Sequence, residues 1–332
     1  MNNVILILTE QLDPHPTSVI NLLRERNIPF YRLNTEVLMS DYDFTWYCDN
    51  SHEDVVIKNI KNGQIVHGNQ IESIWCRRPS PPSTLRLYST PNIDAHNLSE
   101  AKAFFNYLMY YFSNRYSIGH CLYDKYAKSK MVQLRLAANL GIKIPQTCMS
   151  NTKAGIVDFA QSMPEVLLKS FSQNCLVDND LVYDYYAIKV KSSELIKQPE
   201  EAFVQTVNFC ENYVPKDYEV RVTVMGPHIF ACKLDSQAQK EDEGKIDWRQ
   251  GYDYNIKHEG HSLPTEIEEF CKRYLRELHL NFGCFDFIVE PSGEYVFLEC
   301  NPNGQWRWIE EELNITSMTE AMVDCLVNKL TV

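Results

Sequence analysis

Residues 283–304 carry two carboxylates and an amide in an arrangement that few folds can leave unattended. Two runs, 285–290 and 295–299, have strand character and are joined by Pro291-Ser292-Gly293-Glu294. A four-residue loop pairs 290 with 295, and therefore Asp286 with Glu299. Asn301 lies two residues further on, on the same face. The opposite face reads Phe285, Phe287, Val289, Val296, Leu298 and Cys300, apolar throughout, and this split sets the expected register. Like charges directly opposite one another weaken a sheet, so something has to compensate. A divalent cation is one answer, because carboxylate and amide oxygens are hard ligands suited to Mg²⁺. An exposed acidic face, or an acid paired with a nearby Lys or Arg, is the other. The hairpin by itself leaves both open.

A second hairpin has a similar construction. Residues 219–224 alternate polar and apolar, and residues 229–235 return with Lys233 and Asp235 out of phase with Phe230, Cys232 and Leu234. A three-residue loop, Gly226-Pro227-His228, aligns Arg221 with Lys233. The expected polar face is then Glu219, Arg221, Lys233 and Asp235. A solvated sheet face with cross-strand ion pairs of little energetic weight also accounts for this pattern.

With 332 residues the chain is long enough for two or three packed domains. Residues 1–120 read as an N-terminal α/β unit. It opens on a buried strand at 4–8 and a helix with Val19, Ile20, Leu22 and Leu23 on one side. Short strands follow at 28–33, 44–47, 55–57, 65–66 and 74–76. Arg78-Pro79-Ser80-Pro81-Pro82-Ser83 breaks regular structure, and a helix is expected over 99–113. A second unit, 121–200, opens with a helix over 124–140 that stops at Gly141, and includes a strand at 166–169. Its polar, turn-rich segment 172–184 is a candidate lid. The third unit, 201–332, is rich in antiparallel strands. Its helix over 265–278 begins with a capping-box pattern, Thr265 and Glu268.

The formal net charge of −12 argues against a broad nucleic-acid-binding face, which needs a surplus of Lys and Arg. It leaves room for local basic pockets. The most apolar helical stretch, 104–112, is short and interrupted by Asn106, so no membrane span is expected. The eleven cysteines are scattered with no CxxC pair, and read as reduced thiols in a cytoplasmic protein.

Neither GxxxxGK[ST] nor GxGxxG occurs, which disfavours P-loop and Rossmann nucleotide sites. Lys169 ends an apolar strand and Lys130 lies in the helix before Gly141; each taken alone also fits a surface lysine. The order of elements, however, resembles the ATP-grasp fold, an α/β (α+β) architecture with an N-terminal pre-ATP-grasp domain. Several segments are more specifically similar to the microviridin-type peptide ligases, which make graspetides. They are Trp75-Cys76-Arg77-Arg78-Pro79, Lys130-Met131-Val132-Gln133-Leu134, Gly141-Ile142-Lys143-Ile144-Pro145-Gln146-Thr147, Tyr213-Val214-Pro215-Lys216-Asp217-Tyr218-Glu219-Val220-Arg221, Asp235-Ser236-Gln237, Asp247-Trp248-Arg249 and Phe297-Leu298-Glu299-Cys300-Asn301-Pro302-Asn303-Gly304-Gln305-Trp306.

The resemblance implies that Lys130 and Lys169 hold ATP phosphates, that Glu211 and the Val214 backbone meet the adenine, and that Arg221 stabilises the phosphate in transit. It implies that Asp286, Glu299 and Asn301 hold Mg²⁺. The implied partner is a ribosomal precursor peptide, leader plus core, whose Asp or Glu side chains are phosphorylated and captured by Thr, Ser or Lys. A homodimer is implied as well. Arg77, Arg78 and Arg249 are candidate contacts to acidic peptide side chains, or else pair within this acidic protein. Asp235 and Asp247 are candidate general bases, or else buried ion-pair partners. Two departures stand out: Glu211-Asn212 replaces the family's Gln-Glu pair, and no Gly-rich lid lies between Phe171 and Asp184. Two alternatives remain, a RimK-like ligase that adds an amino acid to a peptide or protein, and a non-catalytic ATP-grasp peptide-binding protein.

Overall fold

The computed structural model describes residues 3–122, 124–171, 175–178, 181–238, 242–249 and 256–332. β1 (Val4–Thr9) is an unbroken apolar run because it is buried on both faces, as parallel strands are. It pairs in parallel with β2 (Phe30–Asn34) on one side and β6 (Ile71–Cys76) on the other. β7 (Tyr116–Ile118) completes a sheet of order β2-β1-β6-β7. The strand alternation divides two cores. Leu6 and Leu8 pack with Phe105, Leu108 and Phe112 of the helix Pro91–Phe112. Ile5 and Ile7 pack with Met318, Met322 and Val323 of the C-terminal helix Ser317–Asn328, which ties the last element of the chain to the first sheet. The helix Pro91–Phe112 starts well before the expected 99, because Pro91 sits in its first turn after an extended Thr90. An antiparallel ribbon of β3 (Tyr42–Cys48), β4 (Glu53–Asn59) and β5 (Ile65–His67) flanks this unit.

The helix expected over 124–140 is two helices, Asp124–Ala127 and Lys130–Asn139. The buried Gln133 side chain explains the geometry at the break. Its amide donates to the carbonyls of Ala127 and Cys300, both at 2.7 Å, and its oxygen accepts the Cys300 N–H at 3.1 Å. The second helix is thereby pinned to the C-terminal sheet with Lys130 at its first turn. Next comes a sheet of order β12-β9-β13-β8, with β8 Thr147–Ser150, β9 Glu165–Lys169, β12 Ile188–Lys191 and β13 Asn208–Asn212. The candidate lid contains the hairpin of β10 (Cys175–Asp178) and β11 (Leu181–Asp184); its residues 172–174 and 179–180 lie outside the described ones.

The C-terminal sheet has the order β16-β15-β14-β17-β18. Its strands are β14 Tyr218–Met225, β15 His228–Leu234, β16 His258–Gly260, β17 Phe282–Val289 and β18 Tyr295–Asn301. Asp286 does pair with Glu299, but by a different route from the expected one. The ladder runs 289↔295, 288↔296 and 287↔297, then shifts by one residue between Asp286 and Phe287. The turn is therefore one residue longer than expected, and a bulge at Leu298 restores the pairing of the acids. The faces change accordingly. Phe285, Phe287, Val289, Tyr295, Phe297 and Cys300 form the core face. Val296 and Leu298 lie on the other, with Val214 and Ile288. In the second hairpin Met225 pairs with His228, so Arg221 faces Cys232 and Lys233 faces Val220. The Lys233 ammonium stacks 4.3 Å over the Tyr218 ring. Lys233 is thus not beside Arg221, because the turn is shorter than the three residues expected. The capping box at Thr265 is also absent: Pro264 is the cap, and its carbonyl accepts from Ile267 and Glu268.

Of the two readings of Arg77, the geometry favours pairing within the protein. Arg77 is 2% exposed, its Nε lies 3.2 Å from Asp13, and its Nη1 donates to the Asn303 carbonyl. Burial pulls its pKa down to about 10 against the pull of Asp13. It pins the N-terminal unit to the loop after β18. The neighbouring Arg78 is exposed. Arg77→Met is expected to lower unfolding stability by about 3 kcal/mol, since Asp13 is left buried without its cation. Arg78→Met is expected to change it by less than about 0.5 kcal/mol. Urea unfolding of both variants checks this; equal stabilities would contradict the buried pin.

Candidate functional site

A cavity of 550 Å³ lies where the central and C-terminal sheets meet. Its walls carry five cation–carboxylate pairs: Lys130–Glu299 at 2.7 Å, Lys169–Glu211 at 2.5 Å, Lys216–Glu219 at 2.6 Å, Arg221–Asp286 at 2.6 Å and Arg249–Asp247 at 2.5 Å. Each comes from a distinct local device. Lys130 stands at the start of its helix because of the break at residues 128–129. Lys169 is the last residue of β9, and Glu211 projects from the paired strand β13. Arg221 and Asp286 are direct neighbours on β14 and β17, and Glu299 is opposite Asp286 on β18. Gly304 lets the chain pass close over this group: a Cβ there would stand 2.5 Å from Cys284 Sγ and 3.2 Å from Arg221 Nη2.

The pairs set the charge states. Burial alone would push the Glu299 carboxyl up, but Lys130, Arg249 and Arg221 outweigh it and hold its pKa at about 2. Burial pushes Asp286 up to about 6; Arg221 opposes this and Glu299 across the ladder adds to it. Of the two facing carboxyls, Asp286 is therefore the one held less firmly in its charged form. Asp247 is lowered in spite of its burial, because the Arg249 side chain donates to it at 2.8 and 2.5 Å, and the N–H groups of Ala187 and Arg249 add two more bonds. That carboxylate is fully engaged, which favours an ion-pair partner over a base.

Of the expected residues, Arg78, Lys130, Lys169, Glu211, Arg221, Asp247, Arg249, Asp286, Glu299 and Asn301 line this one cavity. Arg77, Val214 and Asp235 do not. The Val214 side chain is packed against Ile288 and Val296. Asp235 follows the end of β15, where its N–H donates to the Lys257 carbonyl. Two groups escaped the sequence reading. One is the Lys216–Glu219 pair, signalled only by an i,i+3 spacing next to Pro215. The other is an aromatic wall in which Trp248 and Trp308 lie 5.7 Å apart. Among the described residues no three His, Cys, Asp or Glu side chains are grouped to hold a metal. The hard-oxygen set is two carboxylates and the Asn301 amide, whose oxygen also accepts the Asn303 N–H at 3.0 Å.

No protein-family model and no curated protein matches the chain. Solved structures do match. A RiPP-associated ATP-grasp ligase of Chryseobacterium gregarium, in complex with ADP and a leader and core peptide, is 22% identical, with 98% of this chain and 97% of that one covered and a TM-score of 0.88. The macrocyclase MdnC of Microcystis aeruginosa, bound with precursor peptide MdnA, is 22% identical, with 98% and 99% covered and a TM-score of 0.81. The ATP-grasp ligase PsnB, complexed with a phosphomimetic variant of its minimal precursor, Mg and ADP, is 16% identical, with 99% of each chain covered and a TM-score of 0.75. The chain has the ATP-grasp fold.

Lys169 is a support as well as a lining residue, since Glu211 is 3% exposed. Lys169→Met is expected to destabilise the protein by about 2 kcal/mol, less than a wholly buried pair because the amine is partly open to the cavity. Adding Glu211→Gln is expected to restore most of that loss. A double mutant no more stable than the single one would contradict the pairing.

Proposed function

We propose that the protein is an ADP-forming ligase that uses ATP and Mg²⁺ to close crosslinks within a ribosomal precursor peptide. The observation that carries this is the single chamber in which Lys130, Lys169 and Arg221 face Asp286, Glu299 and Asn301. A volume of 550 Å³ is in the range of small-ligand sites. Lys130 and Lys169 exchange their carboxylate partners for the phosphates of ATP, with Glu211 and the Val214 strand toward the adenine. Asp286, Glu299 and Asn301 hold Mg²⁺, which when bound neutralises phosphate charge and orients the terminal phosphate. Arg221 sits on the same group and stabilises charge as the phosphoryl group moves.

The chemistry needs activation because a carboxylate is a poor electrophile. An Asp or Glu side chain of the peptide attacks the terminal phosphate, giving an acyl-phosphate and ADP. A Ser or Thr hydroxyl, or a Lys amine, of the same peptide then attacks the acyl carbon and expels phosphate. The chain contributes positioning and charge stabilisation. The peptides bound to the similar ligases, and the ADP and Mg of PsnB, support this substrate and cofactor choice. Arg78 and Arg249, at the cavity wall, suit acidic peptide side chains. The reading takes the enzyme as a cytoplasmic homodimer, and ester links as the product.

Incubation with ATP, Mg²⁺ and a candidate precursor peptide, short and rich in Thr, Asp and Glu, is expected to give species lighter by one water per crosslink. Mild alkali is expected to restore the water, as it does for esters. A mass gain matching an added amino acid would contradict crosslinking, and an unchanged peptide would favour a binding protein. Glu299→Gln is expected to keep the fold and slow water loss on the order of 100-fold. Wild-type turnover by that variant would overturn the metal assignment.

A further inference from the structure

The parallel sheet reverses its strand order between β1 and β6. Open α/β sheets leave a crevice at such a point, outside the carboxyl ends of the strands, and ligands bind there. Glu10 directly follows β1, and Arg77 and Arg78 directly follow β6. The N–H groups of both arginines donate to the Leu8 carbonyl, at 3.0 and 3.4 Å, so the two strand exits lie side by side. A second chamber of 410 Å³ opens there, lined by Glu10, Arg78, Pro79, Lys128, Asn301 and Asn303. Arg78 and Asn301 line both chambers, so the outer one meets the inner one at the end of the proposed metal set.

The acids of the two chambers differ in one respect. Each of the five inner carboxylates is held by a cation. Glu10 is half-buried, and its backbone is fixed where Arg32 Nη2 donates to its carbonyl at 2.7 Å. Among the described residues no ion pair engages its side chain. Among the described residues no ion pair engages the Arg78 side chain either, and a carboxylate and an arginine lining one chamber in this way, at the mouth of an activation site, are a place for a reacting pair.

We propose that Glu10 is the catalytic base of crosslink closure, a role that rests on the ligase reading above. The nucleophile enters through the outer chamber while Arg78, shared by both chambers, faces the activated acyl group. The hydroxyl or amine heteroatom forms the new bond to the acyl carbon. The bond from that carbon to the phosphate oxygen breaks, and phosphate leaves with the electron pair. The proton of the nucleophile goes to the Glu10 carboxylate and from there to water. Such proton transfer contributes about 10²–10⁴-fold to a rate.

The test separates activation from closure. Wild type, Glu10→Gln and Glu10→Asp are given the same candidate precursor peptide, short and rich in Thr, Asp and Glu, with ATP and Mg²⁺, with and without hydroxylamine, which captures an acyl-phosphate as a hydroxamate identified by mass. Glu10→Gln is expected to form hydroxamate within about twofold of wild type while water loss slows by about 100-fold or more. Glu10→Asp is expected to recover part of the closure rate. Water loss by Glu10→Gln within about threefold of wild type would overturn the assignment, and so would a parallel fall of hydroxamate and water loss, which marks a binding or folding role. Neither product from wild type would bring down the ligase reading and this role with it.

Discussion

Five ion pairs around one chamber are the constraint on which the rest depends. A charge taken out of water is costly unless it is paired and hydrogen-bonded. A chamber built to hold polyanions and a cation needs both signs of charge at close quarters before either ligand arrives. Here five cations are each matched with a carboxylate at 2.5–2.7 Å, so those parts of the wall are neutral in pairs, and Arg78 stands at the wall outside these pairs. The same pairing makes binding an exchange. In the proposed reading, a phosphate that drew Lys130 away from Glu299 would leave that carboxylate free for a metal. In this account nucleotide and metal sites are linked through a side chain as well as through direct contact.

The fold serves that arrangement through irregularities more than through its regular parts. The break before Lys130 aims one amine at the sheet, and Gln133 fixes it there from both sides. The bulge at Leu298 turns Glu299 onto the face of Asp286. Gly304 admits the loop that caps Arg221. Arg77 then locks that loop to the N-terminal sheet, which brings the outer chamber against the inner one.

Much of this was legible in the sequence, for identifiable reasons. Apolar runs and alternation gave the buried first strand and both hairpins, whereas the parallel pairing of the N-terminal strands came only from the structure. The facing of Asp286 and Glu299 was read correctly from an incorrect register: a turn one residue longer than expected and a bulge offset each other. The mistake was natural, since both faces of β18 carry apolar residues and Val296 and Leu298 pack beside the chamber. Arg77 and Arg78 look equivalent as text; only the parallel sheet decides that one enters the core and the other the cavity. Glu10 carried no motif at all, and its position depends on strand order, which sequence patterning does not encode.

The most direct test of the exchange is metal binding without nucleotide. Mg²⁺ titrated calorimetrically into wild type and Lys130→Met compares Glu299 paired with Glu299 released. The account predicts that the variant binds Mg²⁺ more tightly, by about tenfold if Lys130 withholds about 1.4 kcal/mol from the metal. Equal or weaker affinity in Lys130→Met would contradict it.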